Sequence, residues 1–148
     1  MQDLPQLPYT QRVVKEGMRL YPPVWAMVRN PVEDCEIGGY VVPAGVTVVM
    51  SQWIMHRDAR YYDEPERFNP DRWLEERAKS APRYSYFPFG GGPRVCIGAS
   101  FASTETALVL ATIAQKYQVR MAPDSVVEPT PTITLRPRHG IKVILARR

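Results

Sequence analysis

The chain has 148 residues, a formal net charge of +4 and 45% hydrophobic residues, a size and composition suited to one ordinary domain. Its basic residues are scattered with no aromatic-and-lysine stripe, so no nucleic-acid partner is expected. Residues 107–114, the longest apolar stretch, are too few to span a bilayer, and Met1-Gln2-Asp3-Leu4-Pro5 lacks the basic and apolar parts of a signal peptide. Two cysteines, Cys35 and Cys96, make no disulfide framework, and with two histidines they offer no usable zinc spacing.

Fifteen prolines, about twice the average usage, cut the chain into short elements. Residues 10–20 read as a helix capped by Thr10. Val13, Gly17 and Leu20 share one face, and Tyr21-Pro22-Pro23 ends it. Glu16 and Arg19 stand at i and i+3, which on local grounds suits a surface ion pair worth about 0.2–0.5 kcal/mol. Residues 24–28 form a strand followed by Arg29, whose local reading is a solvated strand end. Glu36-Ile37-Gly38-Gly39-Tyr40-Val41-Val42 is a hairpin signal about Gly-Gly. Residues 46–50 are apolar and β-branched, as in an interior strand, and 51–57 suit a helical turn. Residues 58–81 are a long, irregular, charged connection containing Pro65-Glu66-Arg67-Phe68. Connections this long in a compact domain are usually functional or organised from outside.

The run Phe89-Gly90-Gly91-Gly92-Pro93-Arg94-Val95-Cys96-Ile97-Gly98 places one cysteine between a glycine-rich loop and an apolar helix predicted over 97–117. A helix N-terminus offers unpaired N–H groups and partial positive charge, and both favour a thiolate. Arg94 adds a cation for an acidic group on whatever the sulfur binds. A buried, inert cysteine suits the same local sequence. A phosphate-binding loop does not, because Pro93-Arg94-Val95 stands where Gly-Lys-Ser/Thr is needed. A dinucleotide fingerprint needs a preceding strand, which Pro88 breaks. Residues 97–117 are apolar nearly all round, so that helix needs neighbours on several sides. Residues 132–135 and 141–145 then pair about Arg138-His139-Gly140, with His139 at the tip. Cys35 is a bystander, and His56 has no partner that argues for catalysis.

Three motifs in this order resemble the cytochrome P450 family. They are Phe89-x-x-Gly92-x-Arg94-x-Cys96-x-Gly98, Glu16-x-x-Arg19 with Leu20-Tyr21-Pro22-Pro23, and Pro65-Glu66-Arg67-Phe68; Thr134-Leu135-Arg136-Pro137 resembles the family's C-terminal sheet. The resemblance implies a mainly α fold with small β-sheets, of which residues 1–148 form the C-terminal haem-binding portion, without the upstream central helix that carries the family's oxygen-activating acid–alcohol pair. It implies a haem-thiolate monooxygenase that inserts one atom of O2 into a small organic substrate. Electrons would come from a redox partner: a ferredoxin, a flavodoxin or a flavoprotein reductase. Haem b would be held by Cys96 as axial iron ligand, Arg94 and Arg29 on the propionates, Phe89 near the sulfur, and Gly92 and Gly98 allowing close backbone approach. Glu16, Arg19 and Arg67 would form one buried cluster. Val24, Ala26 and Met27 would be one substrate-contact segment and Ile133 and Thr134 another, although ordinary packing suits these five as well. Arg72, Arg77, Lys79 and Arg83 would help receive an acidic electron donor. The 148 residues alone are expected to lack turnover, and a cytoplasmic location is implied for a soluble bacterial protein. A haem-thiolate peroxygenase or isomerase, and a non-catalytic remnant, are the alternatives.

Overall fold

A computed structural model describes residues 4–148, with the side chains of residues 77–79 excepted. Helix α1 (Pro8–Leu20) begins two residues before Thr10, which therefore does not cap it. Pro8 occupies the first turn, where its fixed φ and missing N–H carry no penalty, and Gln11 Nε2 donates to the Leu4 carbonyl at 2.8 Å. Strand β1 (Met27–Arg29) pairs with β4 (Val48–Met50) in an antiparallel ladder. Between them β2 (Cys35–Ile37) and β3 (Tyr40–Val42) make the expected hairpin, with φ of +60° and +86° at Gly38 and Gly39. Those angles suit the tight turn that right-twisted strands require. Strand β4 is not interior: it has one ladder partner, and Val49 is exposed. Ser51 caps the short α2 (Gln52–Met55), its hydroxyl accepting from the Ile54 N–H.

The long connection holds more structure than its composition suggests. A 3-10 turn spans Pro70–Trp73, capped by Asn69, and α3 spans Glu75–Ser80. The dominant helix, α4 (Ala99–Lys116), starts after Gly98, two residues later than expected. It packs on α1, yet only Ala107 of its residues is buried. Phe101, Leu108, Val109 and Ile113 are exposed, so the neighbours its composition calls for are not among the described residues.

The C-terminal pairing differs from the expected hairpin. Strand β8 (Val143–Arg147) pairs with β5 (Tyr117–Met121), which continues directly from α4. Strand β6 (Pro129–Pro131) pairs with β7 (Leu135–Pro137). Prolines at both ends of β6 and at the end of β7 limit that ladder to three positions. The alternating Tyr117-Gln118-Val119-Arg120-Met121 offers β8 five. Arg138 and His139 lie in the turn connecting β7 to β8 rather than at a hairpin tip. No helix among the described residues is long and apolar enough to cross a membrane.

Candidate functional site

The interior of this chain is largely polar. Glu16 and Arg19, on the inward face of α1, are both fully buried. Arg19 Nε and Nη2 meet Glu16 Oε2 and Oε1 at 2.9 Å each. The remaining guanidinium hydrogens reach the carbonyls of His56 and Pro65 at 2.7 Å and that of Arg67 at 3.2 Å. All five N–H donors of the arginine are thus used. The carboxylate is as fully engaged, accepting also from the Asn69 N–H, Arg72 Nε and Trp73 Nε1 at 2.9 Å each. Burial by itself would raise the Glu16 pKa. The bonds from Arg19, Asn69 and Arg72 outweigh it, and the pKa lies below the ordinary value.

The second guanidinium of this cluster is Arg72 and not Arg67. The Arg67 side chain is 64% exposed and pairs with Glu64 at 2.7 Å; only its carbonyl meets Arg19 and Arg72. The physical reason is the turn at Pro70. The capped turn Pro70–Trp73 packs on α1, which delivers the Arg72 and Trp73 side chains to Glu16. The sequence carried a signal for this: Pro-acid-Arg-aromatic occurs twice, as Pro65-Glu66-Arg67-Phe68 and Pro70-Asp71-Arg72-Trp73, and only the second follows a capping residue, Asn69. Arg72 is consequently not part of a surface for an electron donor, its side chain being 11% exposed. The side chains of Arg77 and Lys79 lie outside the described residues.

From this cluster the chain passes to the cysteine loop through His56, a residue that sequence reasoning missed. His56 is fully buried. Its Nε2 accepts the Phe87 N–H at 2.9 Å, and its ring lies 5.1 Å from that of Tyr86 and 5.3 Å from that of Phe87. Burial, reinforced by the charges of Arg19 and Arg57, holds the imidazole pKa down to about 4 against the opposing pull of the Arg19 and Met18 carbonyls.

The loop closes on itself. The Phe89 carbonyl accepts the Cys96 N–H at 2.9 Å, and the Gly92–Arg94 3-10 turn lies between them. Gly92 has φ +66° with open space at its Cβ position, so it serves conformation. Gly98 has an ordinary φ of −85°, and a Cβ there would stand 3.8 Å from Cys96 Sγ. Cys96 itself is exposed and unpaired, just ahead of α4. The N–H groups of Ile97 and Gly98 make no hydrogen bond among the described residues.

Cys96, Phe89, Arg94 and Arg29 meet on one apolar cavity of about 540 Å³, bounded on its other sides by α1 and α4. Neither guanidinium is committed to a carboxylate: Arg29 donates only to the Val28 carbonyl, and Arg94 has no side-chain partner among the described residues. Val24 and Met27 line the same cavity, and Ala26 is half-buried beside them. Ile133 and Thr134 do not line it. They sit in the loop between β6 and β7, with Ile133 96% exposed. That loop is nonetheless tied to the 23–27 segment, through Trp25 Nε1 on the Thr132 carbonyl and the Leu135 N–H on the Pro23 carbonyl, each 2.8 Å. A group that is broad, apolar and acidic at its edge, with an atom that takes a thiolate, fits this donor set.

Comparison with known proteins agrees with the geometry. Residues 1–145 match the family model described as Cytochrome P450. The chain is similar to cyclooctat-9-en-7-ol 5-monooxygenase of Streptomyces melanosporofaciens, with 45% identity over 122 residues, 82% of this chain and 27% of that protein. It is similar to pentalenene oxygenase of Streptomyces avermitilis, with 38% identity over 146 residues, 99% of this chain and 32% of that protein. Among solved structures, a retinoic acid-bound cyanobacterial CYP120A1 superposes with a TM-score of 0.94 at 32% identity, covering 100% of this chain and 35% of that one. The chain thus spans about a third or less of the length of these relatives. It belongs to the cytochrome P450 family.

Proposed function

We propose that these residues form the cysteine-bearing, haem-holding part of a P450 catalytic domain. In that setting they serve a monooxygenase that inserts one atom of O2 into a small organic substrate, with electrons from a redox partner. The observation that carries the reading is the meeting of an exposed thiol and two uncommitted guanidiniums on one apolar cavity. The names of the relatives, a monooxygenase and an oxygenase, support the reaction class.

In this reading Cys96 gives its sulfur to the haem iron. The free N–H groups of Ile97 and Gly98 donate toward that sulfur and temper its charge. Arg29 and Arg94 hold the propionates, and Phe89 limits water near the sulfur. A Cβ at Gly98 would stand 3.8 Å from the sulfur, so the glycine leaves that side of it uncovered. Bound there, haem supplies oxygen activation, its thiolate ligand favouring cleavage of the O–O bond. Val24 and Met27 face the cavity where a substrate would lie, and the Trp25 tether brings the Ile133–Thr134 loop to the same side.

The test is the carbon monoxide complex of the reduced, haem-loaded protein. It should show the strongly red-shifted main band of thiolate ligation. Cys96→Ala should abolish that band and Cys35→Ala should leave it. An unchanged band in the Cys96→Ala protein would refute the assignment.

A further inference from the structure

The buried cluster at α1 and the cysteine loop are separate in sequence, and one side chain joins them. His56 sits at the C-terminal end of α2 with its backbone carbonyl on Arg19 Nη1 at 2.7 Å and its ring Nε2 on the Phe87 N–H at 2.9 Å. Phe87 opens the turn that leads to Gly90, its own carbonyl accepting the Gly90 N–H at 2.9 Å. Two residues after Phe87, the Phe89 carbonyl receives the Cys96 N–H. The path from the Glu16–Arg19 pair to the sulfur is therefore a continuous series of hydrogen bonds and short covalent steps.

The chemistry of each link limits what can stand at position 56. Phe87 presents an N–H, so its partner must be an acceptor. An imidazole accepts only when neutral, with its proton on the other nitrogen. Full burial between the rings of Tyr86 and Phe87, near the guanidiniums of Arg19 and Arg57, keeps it so. The proton then sits on Nδ1, the nitrogen left to the Arg19 and Met18 carbonyls that pull on the ring.

We infer that His56 is a positioning residue for the haem ligand: by accepting the Phe87 N–H it fixes the root of the cysteine loop to the Glu16–Arg19 cluster and so holds the Cys96 sulfur in place for its bond to iron. The inference rests on the reading of Cys96 given above. His56 touches neither the cavity nor the sulfur, and acts only through the loop.

The experiment compares His56→Gln, whose side-chain oxygen can accept the same N–H, with His56→Leu, which cannot. The first readout is hydrogen exchange at the Phe87 amide. His56→Leu should speed it about tenfold, the worth of one hydrogen bond, and His56→Gln should change it little. The second readout is the share of the reduced carbon monoxide complex that keeps the thiolate band in the haem-loaded protein. His56→Gln should keep the parent's share, and His56→Leu should lose most of it to a thiolate-free form. Should His56→Leu fail to fold, His56→Gln decides alone: a retained band supports the role and a lost band overturns it. Faster Phe87 exchange in His56→Leu with an undiminished thiolate band would also overturn it, while leaving Cys96 as ligand. Failure of the Cys96 reading would show separately, as a thiolate band that survives Cys96→Ala.

Discussion

Three alanine substitutions in the buried cluster should differ in a fixed order, because they leave different charges behind. Glu16→Ala removes the acceptor of five hydrogen bonds, from Arg19 (two), Asn69, Arg72 and Trp73. It leaves a fully buried Arg19 and an 11% exposed Arg72 with no carboxylate between them. Breaking a buried pair in this way costs about 3–5 kcal/mol. At about 2–4 °C per kcal/mol for a chain of this size, that lowers the melting temperature by about 6–20 °C. Arg72→Ala leaves the Glu16–Arg19 pair electrically balanced and loses the charge-assisted bond to Glu16, about 1.5–3 kcal/mol. Arg67→Ala removes an exposed pair with Glu64 and keeps the backbone carbonyl that Arg19 and Arg72 use, so it costs less than about 1 kcal/mol. Equilibrium urea unfolding measures all three, with unchanged slopes confirming that midpoints report stability. An Arg67→Ala loss equal to that of Arg72→Ala would refute the placement of the second guanidinium.

Acid should weaken the fold in two separate windows. His56 has its pKa lowered to about 4 from 6.5, so the unfolded chain binds the extra proton between those values. Its contribution, about 3 kcal/mol, is complete above about pH 6.5 and is lost as pH falls toward 4; Glu16, with a lowered carboxylate pKa, is lost only below the ordinary carboxylate range. Urea midpoints from pH 7 to 4 should show the first window, and His56→Gln should flatten it. Gly92→Ala, at φ +66° with nothing within 4 Å of the Cβ position, should cost about 1–2 kcal/mol through conformation alone, and a loss near zero in unfolding experiments would refute that account. Given a competent reductase, the 148 residues by themselves should show no substrate oxidation, since the apolar faces of α4 and the cavity's far side have no cover among the described residues; turnover at a rate typical of the family would refute this.

Local chemistry made some of this legible in the sequence. The Gly38-Gly39 hairpin, the stop at Tyr21-Pro22-Pro23 and the cysteine ahead of an apolar helix all follow from backbone preferences within a few residues. The meeting of Arg29 with Arg94 at one cavity came from family resemblance, not from spacing. What stayed hidden depends on direction. The residue types of Arg67 and Arg72 are alike, and only the capped turn at Asn69-Pro70 turns one inward. His56 was hidden for another reason: an imidazole earns its place through a backbone N–H 31 residues away, and a backbone group leaves no mark in sequence. The boundary between α4 and β5 is unmarked in the sequence because the helix runs into the strand without a break, Tyr117 ending the helix and beginning the strand.

The distribution of burial gives the cluster its meaning. Among the described residues the buried apolar side chains are Val14, Leu20, Pro22, Tyr62 and Ala107, whereas Glu16, Arg19, Gln52, His56 and Ser85 are buried polar ones. Apolar burial is non-directional and tolerates sliding, but an arginine with all five donors spoken for has one position. Its five bonds end on three segments: α1 itself, the end of α2, and the 65–67 turn. Glu16 adds the 69–73 turn. Tyr62, under the Arg19 guanidinium at 5.0 Å, adds the entry to the cysteine loop through its hydroxyl on the Ser85 carbonyl at 2.9 Å. Replacing such a network with apolar residues often leaves stability unchanged or raised, so stability is a poor reason for its presence. Geometry is a better one: four short irregular segments with little ladder pairing of their own are held in register about one ion pair, and the loop that carries Cys96 is anchored to that register at Ser85 and Phe87.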